Sequence, residues 1–537
     1  MSIDYSDRGV SASAEFDADV LIIGGGPSGT WAAVSAAASG ARVVLADKGY
    51  CGSSGATAPS GTGVWYIAPD PAKRLAAMES REKMGGYLQD RKWMSRVLDR
   101  TYESVNLLAE KGYPFPVDDE GRSRRGSLQG PEYMRLMRRQ VKQAGVTILD
   151  HSPALELLVD ENGAVAGAAG IRRQKGDTWL VRAKAVVMAT GGCAFLSKAL
   201  GCNVLTGDGY LMAAEAGADL SSMEFSNAYA ISPIFASVTK TLFYKWGTFT
   251  YEDGSEIEGA KSQGGRSVIA RTLLKQPVYA QLDKADAEIQ AAMRHAQPNF
   301  FVPFDRVGVN PFTQRFKVTL RLEGTVRGTG GLRIVDDTCA TAVAGLYVAG
   351  DAASRELVCG GFTGGGSHNA AWAMSSGFWA GAAAADYGHQ TGPQRRVLRR
   401  VGGVALEGRG NHEIDPTQLT RSVQDEVVPF ERNYFRTGEV LTDSLSRLNT
   451  LWRSARNAGP SAAGNVVKAR EAAAMLATAR WMYTSALSRT ETRGMHKRYD
   501  HLKQDESQRA YLTVGGLDEL AVSPRQAPPM PVQGIAA

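Results

Sequence analysis

The sequence predicts an α/β protein: a Rossmann-like nucleotide-binding domain, interrupted by an inserted α+β domain and followed by a helical C-terminal region. Three observations carry that expectation. The apolar run Val20-Leu21-Ile22-Ile23 enters the turn Gly24-Gly25-Gly26-Pro27-Ser28-Gly29, of form G-x-G-x-x-G, and leaves as an Ala-rich helix. A second strand, Arg42-Val43-Val44-Leu45-Ala46-Asp47, ends in an acid about 20 residues further on, the spacing at which a ribose hydroxyl is held. Residues 226–318 change character, with more aromatics and no nucleotide-type glycine turn, and beyond about residue 390 the text turns helical and rich in Arg and Ala.

Each glycine of the first turn has a task. Gly24 allows the tight turn, Gly26 lets the backbone approach a pyrophosphate, and Gly29 lets the helix pack on the strand. The helix that starts at Pro27 and Ser28 offers free N–H groups and the positive end of its dipole to a phosphate.

Composition excludes several classes. At 537 residues the chain can hold two or three domains, and 22% charged residues is ordinary for a folded protein. A net charge of +6 over this length does not single out nucleic acid. The five cysteines, Cys51, Cys193, Cys202, Cys339 and Cys359, form no C-x-x-C pair, which argues against an iron–sulfur cluster or structural zinc. No metal site is expected. An odd, sparse set of thiols suits a reducing compartment. Met1 to Phe16 lacks an export signal, and the apolar stretch Ala370 to Ala385 is broken by Ser and Gly and is shorter than a bilayer span. A soluble, cytoplasmic protein is the expectation.

Along the chain, residues 1–16 read as polar and loose and 17–66 as the opening βαβ unit with the segment after it. Residues 70–112 read as helices, with Met94, Val97, Leu98, Val105, Leu107 and Leu108 at helical spacing. A charged loop spans Asp118 to Gly130, and helix signals return through Met134, Leu136 and Met137. Four β-like runs follow: Ala154–Val159, Val165–Ile171, Trp179–Ala183 and Ala185–Ala189. Thr206-Gly207-Asp208-Gly209 then precedes a helix over Tyr210–Ala216. The resulting division is 17–225 and 319–390 for the nucleotide-binding domain, 226–318 for the insertion, and 391–537 for the C-terminal helices and an extended, proline-containing tail from Ser523.

The order of motifs resembles the flavoprotein superfamily of succinate dehydrogenase and fumarate reductase, which also contains L-aspartate oxidase, 3-ketosteroid dehydrogenase and the flavoprotein of adenylylsulfate reductase. Five features carry the resemblance: the Gly24–Gly29 fingerprint with Asp47 and Lys48; the run Gly52 to Gly61 containing Ser54-Gly55-Ala56-Thr57; Ala189-Thr190-Gly191-Gly192; Thr206-Gly207-Asp208-Gly209; and Gly345 to Asp351, ending in Gly350-Asp351. Arg489-Thr490-Glu491-Thr492-Arg493-Gly494-Met495-His496 is similar to the family's R-x-E-S-R-G-x-H stretch. Phe362 to Asn369, with Ser367 and His368, is similar to the F-S-S-G-S-H of the adenylylsulfate reductase branch, and Ser60-Gly61-Thr62-Gly63-Val64-Trp65 to the S-G-G-G-V-W of steroid dehydrogenases. Such discontinuous pieces imply FAD rather than NAD. The resemblance implies a FAD-dependent oxidoreductase whose insertion caps the flavin, with these glycines, acids and hydroxyls around the cofactor.

The departures narrow the reading. Relatives that attach FAD covalently use a histidine in the segment occupied here by Tyr50 to Thr57, which has none, so non-covalent FAD is expected. The histidine of the family's Q-F-H-P-T stretch is missing from Glu224-Phe225-Ser226-Asn227-Ala228, that of H-Y-T-M-G-G from Thr325 to Gly331, and the arginine of R-x-G-S-N is replaced by Gly364. A C4 dicarboxylate is therefore not the expected substrate. Three residues are candidates for catalysis. Arg266, in Gly265-Arg266-Ser267-Val268-Ile269-Ala270-Arg271, resembles the arginine of S-R-D-V-V-S-R that stabilises a developing anion or relays a proton; the alternative is a surface arginine on the insertion. His368 is expected either to hydrogen-bond flavin or substrate and act as acid or base near neutrality, or only to cap the following helix. Arg327 either replaces a lost anchor or faces solvent. Arg493 and His496 are expected to tie the C-terminal helices to the catalytic domain. Tyr229, Tyr244, Trp246 and Tyr251 are read as core, with a flat substrate wedged against flavin as the alternative. The Arg395–Arg409 stretch is read as a solvated face or as a dock for an acidic ferredoxin. The leading function is hydride transfer between a small organic substrate and FAD. The alternatives are a flavoprotein subunit with a ferredoxin-like electron-transfer partner, and a flavin-binding protein without turnover. No nucleic acid or membrane partner is expected, and assembly into an oligomer is left open.

Overall fold

Val20–Ile23 is apolar without alternation, as a strand covered on both faces requires, and it forms the second half of the central strand Ala14–Ile23. The computed structural model describes residues 4–6, 9–363, 366–392, 397–407, 410, 412–459 and 464–529. In it Ala14–Ile23 pairs in parallel with Val43–Ala46 on one edge and with Asp177–Met188 on the other, and Thr147–Leu149 adds to the Val43–Ala46 side. Asp177–Met188 changes neighbour along its length. Residues from Asp177 to Arg182 pair antiparallel with Val165–Arg172, and Val186 to Met188 pair in parallel with Leu346–Val348. Ala154–Val159 and Arg399–Arg400 complete an eight-stranded sheet.

Two sequence expectations are corrected here. Trp179–Ala183 and Ala185–Ala189 are one strand, because Lys184 between them stays in register and turns its ammonium to Asp19 at 3.4 Å. Ala14 to Phe16 are not loose, because they extend the central strand against Trp179 to Val181.

The helix Pro27–Ala38 packs on Gly366–Gln390 with unusually close backbones. A Cβ on Gly377 would stand 2.4 Å from the Ser28 carbonyl oxygen, and one on Gly381 would stand 2.2 Å from that of Ala32. Two glycines one helical turn apart thus seat the nucleotide helix against the helix that follows the second glycine-rich segment.

The middle of the chain builds a separate antiparallel sheet in the order Ala228–Pro233, Phe316–Gly324, Val278–Gln281, Thr248–Thr250. Its core is aromatic: Phe300, Phe301 and Phe304 from the helix Pro298–Val307 pack against Phe243, Tyr244 and Phe316. Tyr244 is therefore core, and Tyr229 is buried with its hydroxyl donating to the Val428 carbonyl at 2.8 Å. The strand Phe316–Gly324 runs past residue 318 and carries Glu323 back toward the first sheet. Gly324 has φ +55°, and a side chain there would meet the Cys193 carbonyl at 2.2 Å.

After residue 410 come the helices Pro416–Val427, Gly438–Arg456 and Val466–Ser488. The last is buried nearly all round, which explains its lack of a polar face. The region is not wholly helical. Ala510–Gly515 and Ala521–Gln526 form a hairpin that pairs with Leu220–Ser221, which in turn pairs with Gly331–Leu332. Tyr511, Leu512, Thr513 and Val514 are the β-branched and apolar side chains that favour a strand there. The five cysteines are free and buried. Among the described residues no helix is long and apolar enough to cross a membrane, and no group of side chains has the make-up of a metal site.

Candidate functional site

The site starts at the glycine turn. Gly24, at φ +110°, lies so close to the next strand that a Cβ would be 2.2 Å from the Ala189 carbonyl oxygen, and a Cβ on Gly29 would be 1.8 Å from that of Gly24. Gly26 differs, with no atom within 4 Å of the place a Cβ would take. It is the N-cap of Pro27–Ala38 and no side chain caps that helix. Unpaired N–H groups and the positive dipole end therefore face open space. That space is a cavity of about 710 Å³, within the range of cofactor sites.

Most of the sequence-derived residues line it: Gly24, Gly26, Pro27, Ser28, Asp47, Lys48, Ser54, Gly55, Ala56, Thr57, Gly61, Ala189, Thr190, Gly191, Asp208, Asp351 and Arg327. Gly29 and Gly350 are packed beneath the wall, where a Cβ on Gly350 would meet Ser28 Oγ at 2.4 Å. Ser367, His368 and Arg266 are not on the wall. Gly364 lies outside the described residues, as do parts of the Arg395–Arg409 stretch and of the tail from Ser523.

Asp47 is more occupied than its motif suggests. Its Oδ2 accepts the Gly25 N–H at 2.5 Å, and its Oδ1 accepts the Gly49 N–H and the Ser54 hydroxyl, both at 2.7 Å. Three of roughly four acceptor positions are taken, which leaves one for a ligand hydroxyl. Lys48 lines the cavity, and its Nζ is shared between Asp208, also on the wall, at 2.6 Å and Glu471 on the helix Val466–Ser488 at 2.7 Å. Burial opposes the charge, yet these two acids hold the ammonium above its ordinary range.

Another part of the wall comes from the insertion and the segment after its last strand. Glu323 is fully buried, which would raise its carboxyl. Lys240 Nζ at 2.8 Å, Arg327 Nη1 at 3.1 Å and the Thr239 hydroxyl at 2.7 Å bring it down instead to about 2. Arg327 is thus fixed on the cavity wall and does not face solvent. Asp351 pairs with Arg355, whose guanidinium also donates to the carbonyls of Thr325 and Gly328, so one buried arginine secures the loop that carries Arg327. Arg266 donates from Nε to the Ser262 carbonyl at 3.0 Å and from Nη1 to the Tyr229 carbonyl at 3.2 Å. It has no carboxylate partner among the described residues. Burial first, and the nearby Arg327 second, bring its guanidinium down to about 10.

His368 is the clear correction. It is 3% exposed, neither ring nitrogen has a partner, and its ring packs on Trp65 at 4.7 Å between centroids. Burial, then Arg81 and Arg355, push it down to about 3, so it is neutral at neutral pH and is no acid near neutrality. Arg493 does tie the C-terminus in, its Nη1 donating to the Gly86 carbonyl at 2.6 Å, whereas His496 Nδ1 accepts from Arg436 at 2.9 Å, within the C-terminal region itself. Four further wall residues, Lys240, Phe243, Gln297 and Asn369, are not found from the sequence. Of these only Asn369, next to His368 in a glycine-rich stretch, has a local signal.

The depressed groups set an acid limit. His368 takes a proton near pH 6.5 when unfolded but only near 3 when folded, so stability falls as pH drops from about 6.5 toward 3. Glu323 titrates near 4.5 unfolded and about 2 folded, so its contribution, complete above 4.5, is lost between 4.5 and 2. The thermal midpoint should be level between about pH 7 and 8, should fall below 6.5, and should fall again above about 9, where Cys51, Cys193 and Cys359 lose their protons only in the unfolded chain. In His368→Gln the decline between pH 6.5 and 4.5 should be shallower than in the parent; an unchanged slope contradicts the assignment.

Residues 19–229 match the family described as the FAD binding domain, and residues 419–526 match that of the fumarate reductase flavoprotein C-terminus. Among relatives, one subunit of the CoM/CoB fumarate reductase of Methanothermobacter marburgensis is 25% identical, covering 90% of this chain and 94% of its own. L-Aspartate oxidase of Streptomyces coelicolor is 24% identical over 91% and 90%. The fold superposes on quinol fumarate reductase from E. coli with a TM-score of 0.81 at 19% identity, covering 98% of each chain. It also superposes on adenylylsulfate reductase from Archaeoglobus fulgidus at 0.77 and 17% identity, over 100% of both. The chain belongs to the succinate dehydrogenase and fumarate reductase flavoprotein superfamily and is a FAD-dependent oxidoreductase. The cavity fits that cofactor by its own features. Gly26 leaves backbone bare before an uncapped helix, and Asn369 presents a buried side-chain oxygen without a partner on the wall.

Proposed function

We propose that the protein transfers a hydride between a small organic substrate and non-covalently held FAD, and that the substrate is not a C4 dicarboxylate. The observation that carries this reading is one cavity lined both by the bare glycine turn and helix start and by Arg327, clamped by buried Glu323. When bound, FAD supplies the two-electron hydride chemistry. The residues divide the remaining work. Gly26, Ser28 and Gly29 offer backbone N–H groups to the pyrophosphate, and Asp47 has one acceptor position left for the ribose. Arg327 is the fixed cation on the wall for charge that develops on the substrate, and Arg266, set behind the wall beside Arg327, adds to that positive field. Arg266 holds its proton less tightly than an exposed arginine, and Nη2 is the atom left to present it. The insertion, residues 226–318, acts as the cap that keeps water out.

Non-covalent binding is supported by the segment Tyr50 to Thr57, which has no imidazole, and by Cys51, whose buried thiol is pushed up to about 12 and stays protonated. Acid precipitation should release FAD into the supernatant, and colour retained in the pellet would falsify the non-covalent reading. Under anaerobic conditions succinate should leave the bound flavin yellow and fumarate should not reoxidise the chemically reduced protein. Rapid response to either would return the protein to dicarboxylate chemistry. A second reading rests on the methanogen relative, which is one subunit of its reductase: electrons pass to a separate ferredoxin-like chain. An iron-containing partner that co-purifies in fixed ratio supports it. Five free buried thiols support a cytoplasmic location.

A further inference from the structure

We infer that Trp372, Trp93 and Trp379 form a one-electron path from the wall of the cofactor cavity to the protein surface. The path goes beyond the hydride reading, which moves electrons in pairs and needs no such route, and it stands whether or not that reading holds.

Placement is the first ground. Trp372 and Trp379 are seven residues apart on the helix Gly366–Gln390, two turns and about 10 Å along one face. Trp93, from the helix Arg91–Glu110, stands between them, its ring centroid 5.9 Å from that of Trp372 and 5.8 Å from that of Trp379. Both separations are those of aromatic rings in contact. Among the described residues these are the two contacts between tryptophan rings. The inner end touches the cofactor site. Trp372 Nε1 donates to the Gly350 carbonyl at 3.0 Å, and Asp351, the next residue, lines the cavity, as do Asn369 and Ala373 beside Trp372 on its own helix. The outer end, Trp379, is half-buried.

The surroundings give the path a direction. Trp372 is fully buried, so an indole oxidised there has a carbonyl to steady its positive charge but no water to take its proton. Arg96 lies over both outer rings, 4.6 Å from the Trp93 centroid and 4.2 Å from that of Trp379. The Asp337 carbonyl holds this guanidinium in place at 2.9 Å. A neighbouring cation disfavours the positive charge of an oxidised indole and so favours its neutral, deprotonated form. Trp379 reaches water and can take that form. The balance is one electron and one proton. A one-electron oxidant in the cavity takes an electron from Trp372, Trp93 refills Trp372, and Trp379 refills Trp93. Trp379 then gives its Nε1 proton to water and ends as a neutral radical.

The test is a blue laser flash on the FAD-loaded protein without oxygen, because light makes bound flavin a one-electron oxidant. The visible absorption of tryptophan radicals is followed in time. The parent should give a long-lived neutral radical whose appearance slows in D2O. Trp379→Phe should stay yellow and folded, since a phenyl ring keeps most of the packing at this half-buried place, and should lose the long-lived signal. Trp93→Phe should lose it as well. Trp31→Phe should keep it: Trp31 is also near the wall, through its bond to Tyr133 at 2.7 Å, but its ring touches none of the three. No long-lived radical in the parent overturns the inference, as does an unchanged one in Trp379→Phe. A loss in Trp31→Phe equal to that in Trp379→Phe overturns it too. If Trp93→Phe does not fold, the comparison of the parent with Trp379→Phe decides.

Discussion

Replacing Arg266 by Gln should leave the protein yellow and folded while slowing substrate-driven flavin reduction by about 10²–10³-fold, the usual effect of removing one preorganised donor. The two protein contacts of Arg266 go to backbone carbonyls, Ser262 and Tyr229, and an amide can keep one of them. No buried acid is orphaned, so the change costs little stability. What disappears is a cation close enough to Arg327 and Glu323 to feel both charges. Arg266→Lys should recover only part of the rate, because a point charge does not reproduce the guanidinium fork. Stopped-flow bleaching of the flavin under anaerobic conditions, once a reducing substrate is in hand, measures both. A full rate in Arg266→Gln would make Arg266 a structural residue that caps the Ser262 and Tyr229 carbonyls.

The nucleotide half of the site is legible in the sequence because its requirements are backbone requirements. Gly24 and Gly29 are glycine since any Cβ collides with a carbonyl, and such a constraint leaves a local mark. The other wall leaves none. Thr239, Lys240, Glu323 and Arg327 meet only because the antiparallel sheet of the insertion returns its last strand beside its first, and no spacing in the chain encodes that. Lys48 reaches the wall as its place after Asp47 suggests, but the acid that shares its charge, Glu471, comes from the far end of the chain and leaves no mark near the fingerprint. His368 misleads because burial, which decides whether an imidazole ionises, cannot be read from its glycine-rich neighbours.

Glu491→Ala should be the most destabilising single change in the C-terminal segment, by about 3–5 kcal/mol, the range for breaking a buried ion pair by removing one partner. Glu491 Oε1 accepts from Arg489 at 2.8 Å and from Arg493 at 2.7 Å, and its Oε2 accepts the Asp505 N–H at 2.8 Å. All three side chains are at most 1% exposed. Through them the cluster spans the chain: Arg489 reaches Glu224 at the start of the insertion, and Arg493 reaches the Gly86 carbonyl. Without Glu491 the two guanidiniums repel in a site where, among the described residues, Glu224 is the one buried acid still paired with them. Thermal unfolding and protease sensitivity of the hairpin Ala510 to Gln526 should register the loss together, since Arg489 also donates to the Ala510 carbonyl at 2.7 Å. Glu491→Gln divides the contributions in part: its one amide oxygen can still accept from Arg489 and Arg493, while its NH2 meets the Asp505 N–H, so that bond is lost with the charge. If Gln costs nearly as much as Ala, charge pairing together with the Asp505 bond holds the cluster. If Gln costs far less, hydrogen bonding to buried donors is what closes the C-terminus onto the catalytic core.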